Sequence, residues 1–366
     1  MKTMLAARAE RGSDALHLVE IPVPEPGPLD VLVEVASAGL APGMMRLLAQ
    51  GAFRHLPTTL GHEAAGTVAA VGDRVTGIAP GARVRVHPNL TCRSCRYCRT
   101  DREMMCAQQA MIGHAAFSDV PMPLYDEYHD GGLAGYVRVP HWLVDPLPDA
   151  VSFDVGAKVH DLANAVRALK LADLAAGATL VVTAATGTMG TATVALAPHF
   201  GVARLVLVGR STERLEAVRR LSPGVATDIL ALDGLPAGWE EGQGLTRALR
   251  DLVPGGADAV LDYVPQGPVT LQATAALTTG GTLVHMGANQ APVTLPMVAL
   301  MRNCWRIVGT RACTRTDAEQ VLALLGSGAL DAGGLITHRY PLADAARAVD
   351  AMQSRTEPIW MAVVNP

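Results

Sequence analysis

The spacing of hydrophobic positions changes near residue 154. Before it, apolar runs are short and are cut repeatedly by Gly and Pro. A Pro-rich IPVPEPGP segment leads into VLVEVA at 31–36, and GTVAAVGDRV and GARVRV follow between Glu63 and Val86. Many short strands with Gly and Pro turns predict a small barrel-like β domain. Beyond residue 154, strand candidates at 180–183, 205–209, 259–262, 282–286 and 306–309 alternate with helical stretches such as 212–221 and 269–278. That alternation predicts right-handed βαβ crossovers and a parallel, doubly wound sheet. After residue 311 the pattern offers one helix, 317–325, and a final strand, 360–364.

Composition bounds this picture without changing it. A chain of 366 residues has room for two domains and ample core. Hydrophobic residues make up 49% and aromatics only 4%, which suits close packing of helices on a sheet. Gly, Pro and polar residues interrupt every apolar run short of the roughly 18 residues a membrane-spanning helix needs. The N-terminal MKTMLAARAERG carries charge where a signal peptide needs its apolar region. A net charge of −4 offers no electrostatic footprint for nucleic acid or a membrane.

Candidate chemistry begins with CRSCRYCRTDREMMC, which places Cys92, Cys95, Cys98 and Cys106 in one short loop. C-x2-C-x2-C-x7-C lets four thiolates wrap a tetrahedral Zn²⁺, and an all-cysteine set leaves no open position, so the metal is expected to be structural. Four unrelated thiols or two disulfides form the competing reading. Cys304 and Cys313 are left over, and a reducing cytoplasm fits this usage.

Upstream of the cluster lie Gly61-His62-Glu63, Gly66, Val71-Gly72 and Pro80-Gly81-Ala82-Arg83-Val84; downstream comes TAATGTMG at 183–190. In this order, and out to Ile336–Leu342, the chain resembles the zinc-containing alcohol dehydrogenase branch of the medium-chain dehydrogenase/reductase superfamily. The resemblance implies an α/β chain with a GroES-like, β-rich catalytic domain and a doubly wound Rossmann dinucleotide-binding domain. The expected boundaries are 1–153 with 312–366 for the catalytic domain, including the zinc lobe at 92–106, and 154–311 for the cofactor domain. A homodimer is expected, with a tetramer as the alternative, and the partner is a small-molecule substrate.

Ala185-x-Gly187-x-x-Gly190 follows an apolar strand and opens a helix, the context that gives a dinucleotide fingerprint its meaning. Thr186, Gly187, Thr188, Met189 and Gly190 then cradle the pyrophosphate at the helix N-terminus. Pro198 is expected to kink the end of this helix. An NAD enzyme needs an acid at the end of the second strand, but the chain reads Gly209-Arg210-Ser211-Thr212, with Arg214 one turn on. Arg210 can fork onto a 2′-phosphate and Ser211 can donate to it; Arg214 either joins them or is solvated. NADP(H) is therefore expected, and Val264 and Gly287 complete the cofactor set.

The reaction centre is where the chain departs from its resemblance. The loop that should offer a Cys ligand reads Ala38-Gly39-Leu40-Ala41-Pro42-Gly43-Met44, with Ala41 at the ligand position. Gly43 replaces the hydroxyl relay and Arg46 falls near the relay His. His62 and Glu63 remain, and Lys158-Val-His160-Asp161-Leu-Ala-Asn164 brings His160 to the third-ligand position. One reading is a rebuilt metal site of His62, His160 and either Asp161 or Glu63. A second is a metal-free site in which both histidines donate hydrogen bonds or protons. In a third they only fill the core. By position, Asn164 should lie near the nicotinamide. Zn²⁺ contributes several kcal/mol to carbonyl reduction as a Lewis acid. Conjugate reduction of a C=C or C=N bond is less demanding, because hydrogen-bond donors can hold the spread-out charge. The expected function is thus NADPH-dependent reduction of an activated double bond. An alcohol dehydrogenase or carbonyl reductase on a rebuilt site, and a non-catalytic NADPH-binding protein, are the alternatives. An apparent insertion at 118–130, containing Tyr125, Tyr128 and His129, reads as a lid or as a surface or dimer loop.

Overall fold

A computed structural model describes every residue except Met1 and Pro42. The chain divides into two compact units, 1–160 with 314–366 and 161–313. These limits lie seven and two residues beyond the expected boundaries at 153 and 311. The reason is local: helix Phe153–Ala157 packs on strands Asp30–Gly39, Ala64–Val71 and Arg83–Val86, so it stays with the β-rich unit.

In that unit, strands run in the order Val144–Pro146, Arg83–Val86, Ala64–Val71, Asp30–Gly39, Met361–Asn365 and Ile336–Pro341, and Tyr136–Pro140 also pairs with Asp30–Gly39. The C-terminal return therefore completes the sheet, Val363 and Val364 lying opposite Gly39 and Ala38. Register shifts at Leu32/Val33 and Val35/Ser37 bend the central strand, as bulges do. A three-stranded sheet of Leu16–Pro22, Thr3–Ala9 and Thr58–Thr59 lies beside it in the chain order. The core gathers Val31, Val33, Val35, Leu60, Val68, Val84 and Leu133. Gly66 permits the crossing of strands, because a Cβ there would lie 2.9 Å from the Glu34 carbonyl carbon.

The second unit is a six-stranded, wholly parallel sheet. Its order is Ala226–Ala231, Val202–Gly209, Ala178–Val182, Ala257–Asp262, Leu277–His285 and Arg306–Gly309. In chain order this is 3-2-1-4-5-6, the Rossmann arrangement whose strand order reverses beside the first strand. Strand Ala226–Ala231 and helix Gly244–Leu252 were not legible as periodic patterns, although Leu245 and Leu249 are buried. The fifth strand begins earlier than 282. Ala257 pairs with Leu277 and Ala259 with Thr282, so 278–281 bulge out through Gly280 at φ +82°. Pro198 ends rather than kinks its helix: Thr188–Leu196 is α-helical, and Ala197–Phe200 tightens into a 3₁₀ turn closed by Gly201 at φ +74°. Among the described residues no helix is long and apolar enough to cross a membrane.

Candidate functional site

The cysteine lobe is closed at its base by Asn89–Leu90 pairing with Ala110–Met111. Two 3₁₀ turns, Cys98–Thr100 and Glu103–Met105, wind the chain so that the four thiols converge. Their sulfurs lie within 4.8 Å of one another. Cys95 N–H donates to the Cys92 sulfur at 3.3 Å and Cys92 N–H to that of Cys106 at 3.5 Å. Burial raises the Cys92 thiol, but the Ser94 and Cys95 backbone and the Ser94 and Cys106 side chains outweigh it and bring the group down to about 6. Burial pushes Cys98 up to about 12. Four soft donors converging on one point fit a tetrahedral zinc.

A different cluster forms around His62. Gly61, at φ +96°, donates to the Gly113 carbonyl at 3.1 Å, and a side chain at Gly61 would press on Leu133. That backbone pairing brings the next residues of both segments together: the His62 and His114 rings meet edge to face at 4.9 Å. The His160 ring meets His62 at 5.2 Å in the same manner. Burial, then the neighbouring His62, takes His114 down to about 3. Burial takes His160 well below its usual value, helped by the charges of His62, His87, Arg85 and Lys158. These two imidazoles are therefore neutral near pH 7, each with one N–H and one lone pair.

Two buried ion pairs flank the rings. Lys158 Nζ lies 2.5 Å from Glu63 Oε2, both side chains fully buried, and also donates to the Leu40 carbonyl at 3.3 Å. Gly39 makes this possible, since a Cβ there would collide with the Glu63 carboxylate and sit 2.8 Å from Lys158 Cδ. Arg85 donates to Asp145 at 2.9 and 2.6 Å and lies 2.8 Å from His87 Nδ1. His87 is held neutral by burial first, then by Arg85 and Arg315.

Of the expected reaction-centre residues, the structure brings His62 and His160 together and commits Glu63 to Lys158. Asp161 and Asn164 are buried on helix Val159–Ala172 and belong to the second unit. Among the described residues the cysteines are the only group of three or more such side chains whose donor atoms converge as a metal requires. The set His62, His160 and Asp161 or Glu63 does not, and Glu63 has its cation already. His114, Arg85 and His87 escaped the sequence reading, and Lys158 entered it without a role. Lys158, alone among the charges of an otherwise apolar Val155–Val159 run, was the one available signal. His114 gave none, because its neighbour is set by a backbone contact across fifty residues of chain. Arg46 is exposed on helix Gly43–Ala49.

The insertion is neither a free lid nor a loose surface loop. It carries helix Pro123–Glu127, and Met122, Tyr125 and Tyr128 enter the barrel core. Tyr125 donates to the His114 carbonyl at 2.5 Å, Tyr128 to Asp30 at 2.7 Å, and His129 Nδ1 lies 2.9 Å from the Thr58 hydroxyl.

In the second unit the fingerprint turn leaves strand Ala178–Val182 and enters helix Thr188–Leu196 with Gly187 as its N-cap. Gly190 sits so close to Ala185 that a Cβ would approach its Cα to 2.6 Å. Thr186 lies beside Gly209, and Val264 beside Gly287, where a Cβ would lie 2.6 Å from Val264 N. Ser211 caps helix Thr212–Arg219 by accepting from Arg214 N–H at 3.4 Å, which leaves its own hydrogen to donate; Arg210 is exposed next to it. These cradles, which side chains would fill, and a helix N-terminus without a side-chain cap fit a dinucleotide. Asp262, unnoticed in the sequence, ties the strand ends together. It accepts from Thr183 and from Thr270, the latter at 2.7 Å, and lies 2.7 Å from His285 Nδ1.

Two family models match the chain: the alcohol dehydrogenase GroES-like domain over residues 27–149, and the zinc-binding dehydrogenase over 188–327. An Aspergillus clavatus protein named D-xylulose reductase A is 30% identical over 332 residues, covering 88% of this chain and 87% of its own. This chain belongs to the zinc-binding dehydrogenase family of medium-chain dehydrogenases/reductases. Within that family, sorbitol dehydrogenase of Bombyx mori is 26% identical over 94% of both chains, and L-threonine 3-dehydrogenase of Deinococcus deserti is 27% identical over 96% of both. A Sinorhizobium meliloti 1021 protein of the zinc-binding dehydrogenase type, solved with NADP bound, superposes with a TM-score of 0.85, at 26% identity over 100% of both chains. Relatives named as oxidoreductases make this zinc-binding dehydrogenase an enzyme of that class.

Proposed function

We propose that this enzyme uses NADP(H) to reduce a conjugated C=C or C=N bond of a small molecule, with one structural zinc and no catalytic one. The observation that carries this reading is a ligand loop without donors beside a box of neutral imidazoles. Ala41 and Gly43 offer nothing to a metal or a proton, while the His160 and His114 rings against His62 are kept uncharged by burial.

Cys92, Cys95, Cys98 and Cys106 would hold the structural zinc, which ties the lobe together. The turn 186–190, with Arg210, Ser211 and Arg214 past the second strand and no carboxylate there, suits a nucleotide carrying a 2′-phosphate. The reduced cofactor, when bound, supplies a hydride. His62 and His160 donate N–H bonds to the oxygen or nitrogen on which charge develops; a donor placed for that purpose lowers the barrier by about 2.7–4 kcal/mol in a known oxyanion hole. Buried Lys158 and Arg85, each paired, give these rings fixed positions without placing a free charge beside them. For a C=C bond, a proton taken from water at the α-carbon completes the reduction; for a C=N bond, the proton goes to the nitrogen instead.

The relatives' names favour a second reading: oxidation of polyol-like alcohols, or reduction of their ketones, on a rebuilt zinc site. A homodimer through the second unit is supported by exposed Met297, Val298 and Met301 near the edge strand that carries exposed Ile307. Thiolates that must stay reduced suit the cytoplasm. The deciding experiment follows NADPH consumption with enals, enones and cyclic iminium ions, and NADP⁺ reduction with sorbitol and xylitol. Both are run after chelation that spares four-thiolate zinc. Alkene turnover that survives chelation supports the proposal; polyol turnover abolished by it supports the second reading.

A further inference from the structure

We propose that His114 is a specificity-determining residue that touches the substrate, its Nδ1 accepting a hydrogen bond from a hydroxyl the substrate carries. This rests on the reading above only in taking the His62 cluster as the place where substrate reacts.

His114 is only 7% exposed, and among the described residues no partner reaches its Nδ1. A buried polar atom left in that state costs stability unless something outside the chain satisfies it. The position is not accidental slack. Tyr125 pins the His114 carbonyl, Gly113 holds φ +54° where a Cβ would press on Gly61, and the ring lies edge-on to His62. The ring stays neutral. A neutral imidazole donates from one nitrogen only, so the other offers a lone pair. The Phe53 and Phe117 ring centroids lie 6.2 and 6.1 Å from that of His114, so two apolar rings flank it as well as His62. One acceptor between aromatic walls, next to the donors of the reaction centre, selects a largely apolar molecule with a hydroxyl near its reacting bond. A γ-hydroxylated enal or enone has that chemistry. Sites built to bond a substrate hydroxyl discriminate against the analogue that lacks it far more strongly than apolar pockets discriminate by size.

The test compares hexenal with its γ-hydroxylated analogue, in the parent protein and in His114→Phe, which keeps a ring among rings and removes both nitrogens. The parent is expected to favour the hydroxylated enal at least tenfold in kcat/KM. His114→Phe should bring the ratio near one, with the larger loss of activity falling on the hydroxylated enal, and His114→Gln, which keeps an acceptor oxygen, should recover part of that preference. An unchanged ratio in His114→Phe overturns the proposal and leaves an internal water as the partner of Nδ1. If neither enal turns over, the double-bond reading fails separately. His114 is then judged by affinity of the same two enals for the NADPH complex, read from cofactor fluorescence. A preference lost in His114→Phe supports the assignment, and equal affinities in the parent contradict it. A second equivalent of zinc lost in His114→Phe would also overturn it, by making the residue a metal ligand.

Discussion

The cysteine lobe and the histidine cluster lie in the same compact unit, and both gather groups that can bind metals, yet they are built in opposite ways. The lobe draws four donors from fifteen consecutive residues, and their sulfurs converge within 4.8 Å. The cluster draws His62, His114 and His160 from across a hundred residues of chain, with its flanking charges already neutralised by Lys158–Glu63 and Arg85–Asp145. Only a cation can hold these converging sulfurs together as thiolates, so the lobe is incomplete without its metal. The imidazoles of His114 and His160, kept neutral by burial beside closed ion pairs, carry no such demand. On the proposed reading, the difference separates a site completed by an ion from one that works on a substrate directly.

Breaking the lobe should have the largest effect. Cys106→Ser removes one ligand from a site whose metal binding is coupled to folding. Zinc should be lost and the melting temperature should fall by on the order of 10 °C, as a loss of several kcal/mol does in a chain this size. Calorimetry with elemental analysis checks this, and a variant that retains zinc and melts like the parent would remove the structural role.

Next comes the ion pair behind the histidines. Lys158→Met leaves the Glu63 carboxylate buried without its cation, an expected loss of about 3–5 kcal/mol. The double variant Lys158→Met/Glu63→Gln should recover most of it, because neither charge is then stranded. Denaturant unfolding of the single and double variants measures the difference.

The two regions also differ in how much of them could be read without coordinates. The lobe was legible because its ligands are local and their spacing is the geometry. So was the parallel sheet, since its strands carry short apolar runs such as those at 180–182 and 205–208. Ala226–Ala231 was missed because only Leu230 and Thr227 of its six residues are buried. The cluster was half legible. His62 and His160 sit at positions the family resemblance marks, whereas His114 arrives through the Gly61–Gly113 backbone contact and His87 through Arg85. The insertion misled because Tyr125 and Tyr128 look like surface aromatics until the core is seen to receive them.

Smaller effects sharpen the catalytic side. His62→Ala and His160→Ala should each lower turnover by about a hundredfold, with cofactor affinity little changed, the pattern for groups that act on charge in the transition state. Steady-state kinetics with NADPH titrations separate the two quantities. Arg210→Ala should weaken NADPH by about 1.5–3 kcal/mol and leave NADH nearly unaffected. Equal losses for both would remove the 2′-phosphate contact.

Acid should reveal the neutral imidazoles most gently. His114 takes a proton near 6.5 when unfolded but only near about 3 when folded, so the unfolded chain binds more protons between those values. Its contribution to stability is full above roughly pH 6.5 and is lost as pH falls toward 3. His114→Phe should flatten that part of the stability–pH curve, measured by urea unfolding in the range where the lobe keeps its zinc.

The central claim is that one region of this unit holds a metal and the other acts without one. Elemental analysis of purified, active protein addresses it most directly. One zinc ion per chain, unchanged in His62→Ala and His160→Ala and lost in Cys106→Ser, is the predicted result. Two zinc ions per chain, with one lost when His62 or His160 is replaced, would contradict it.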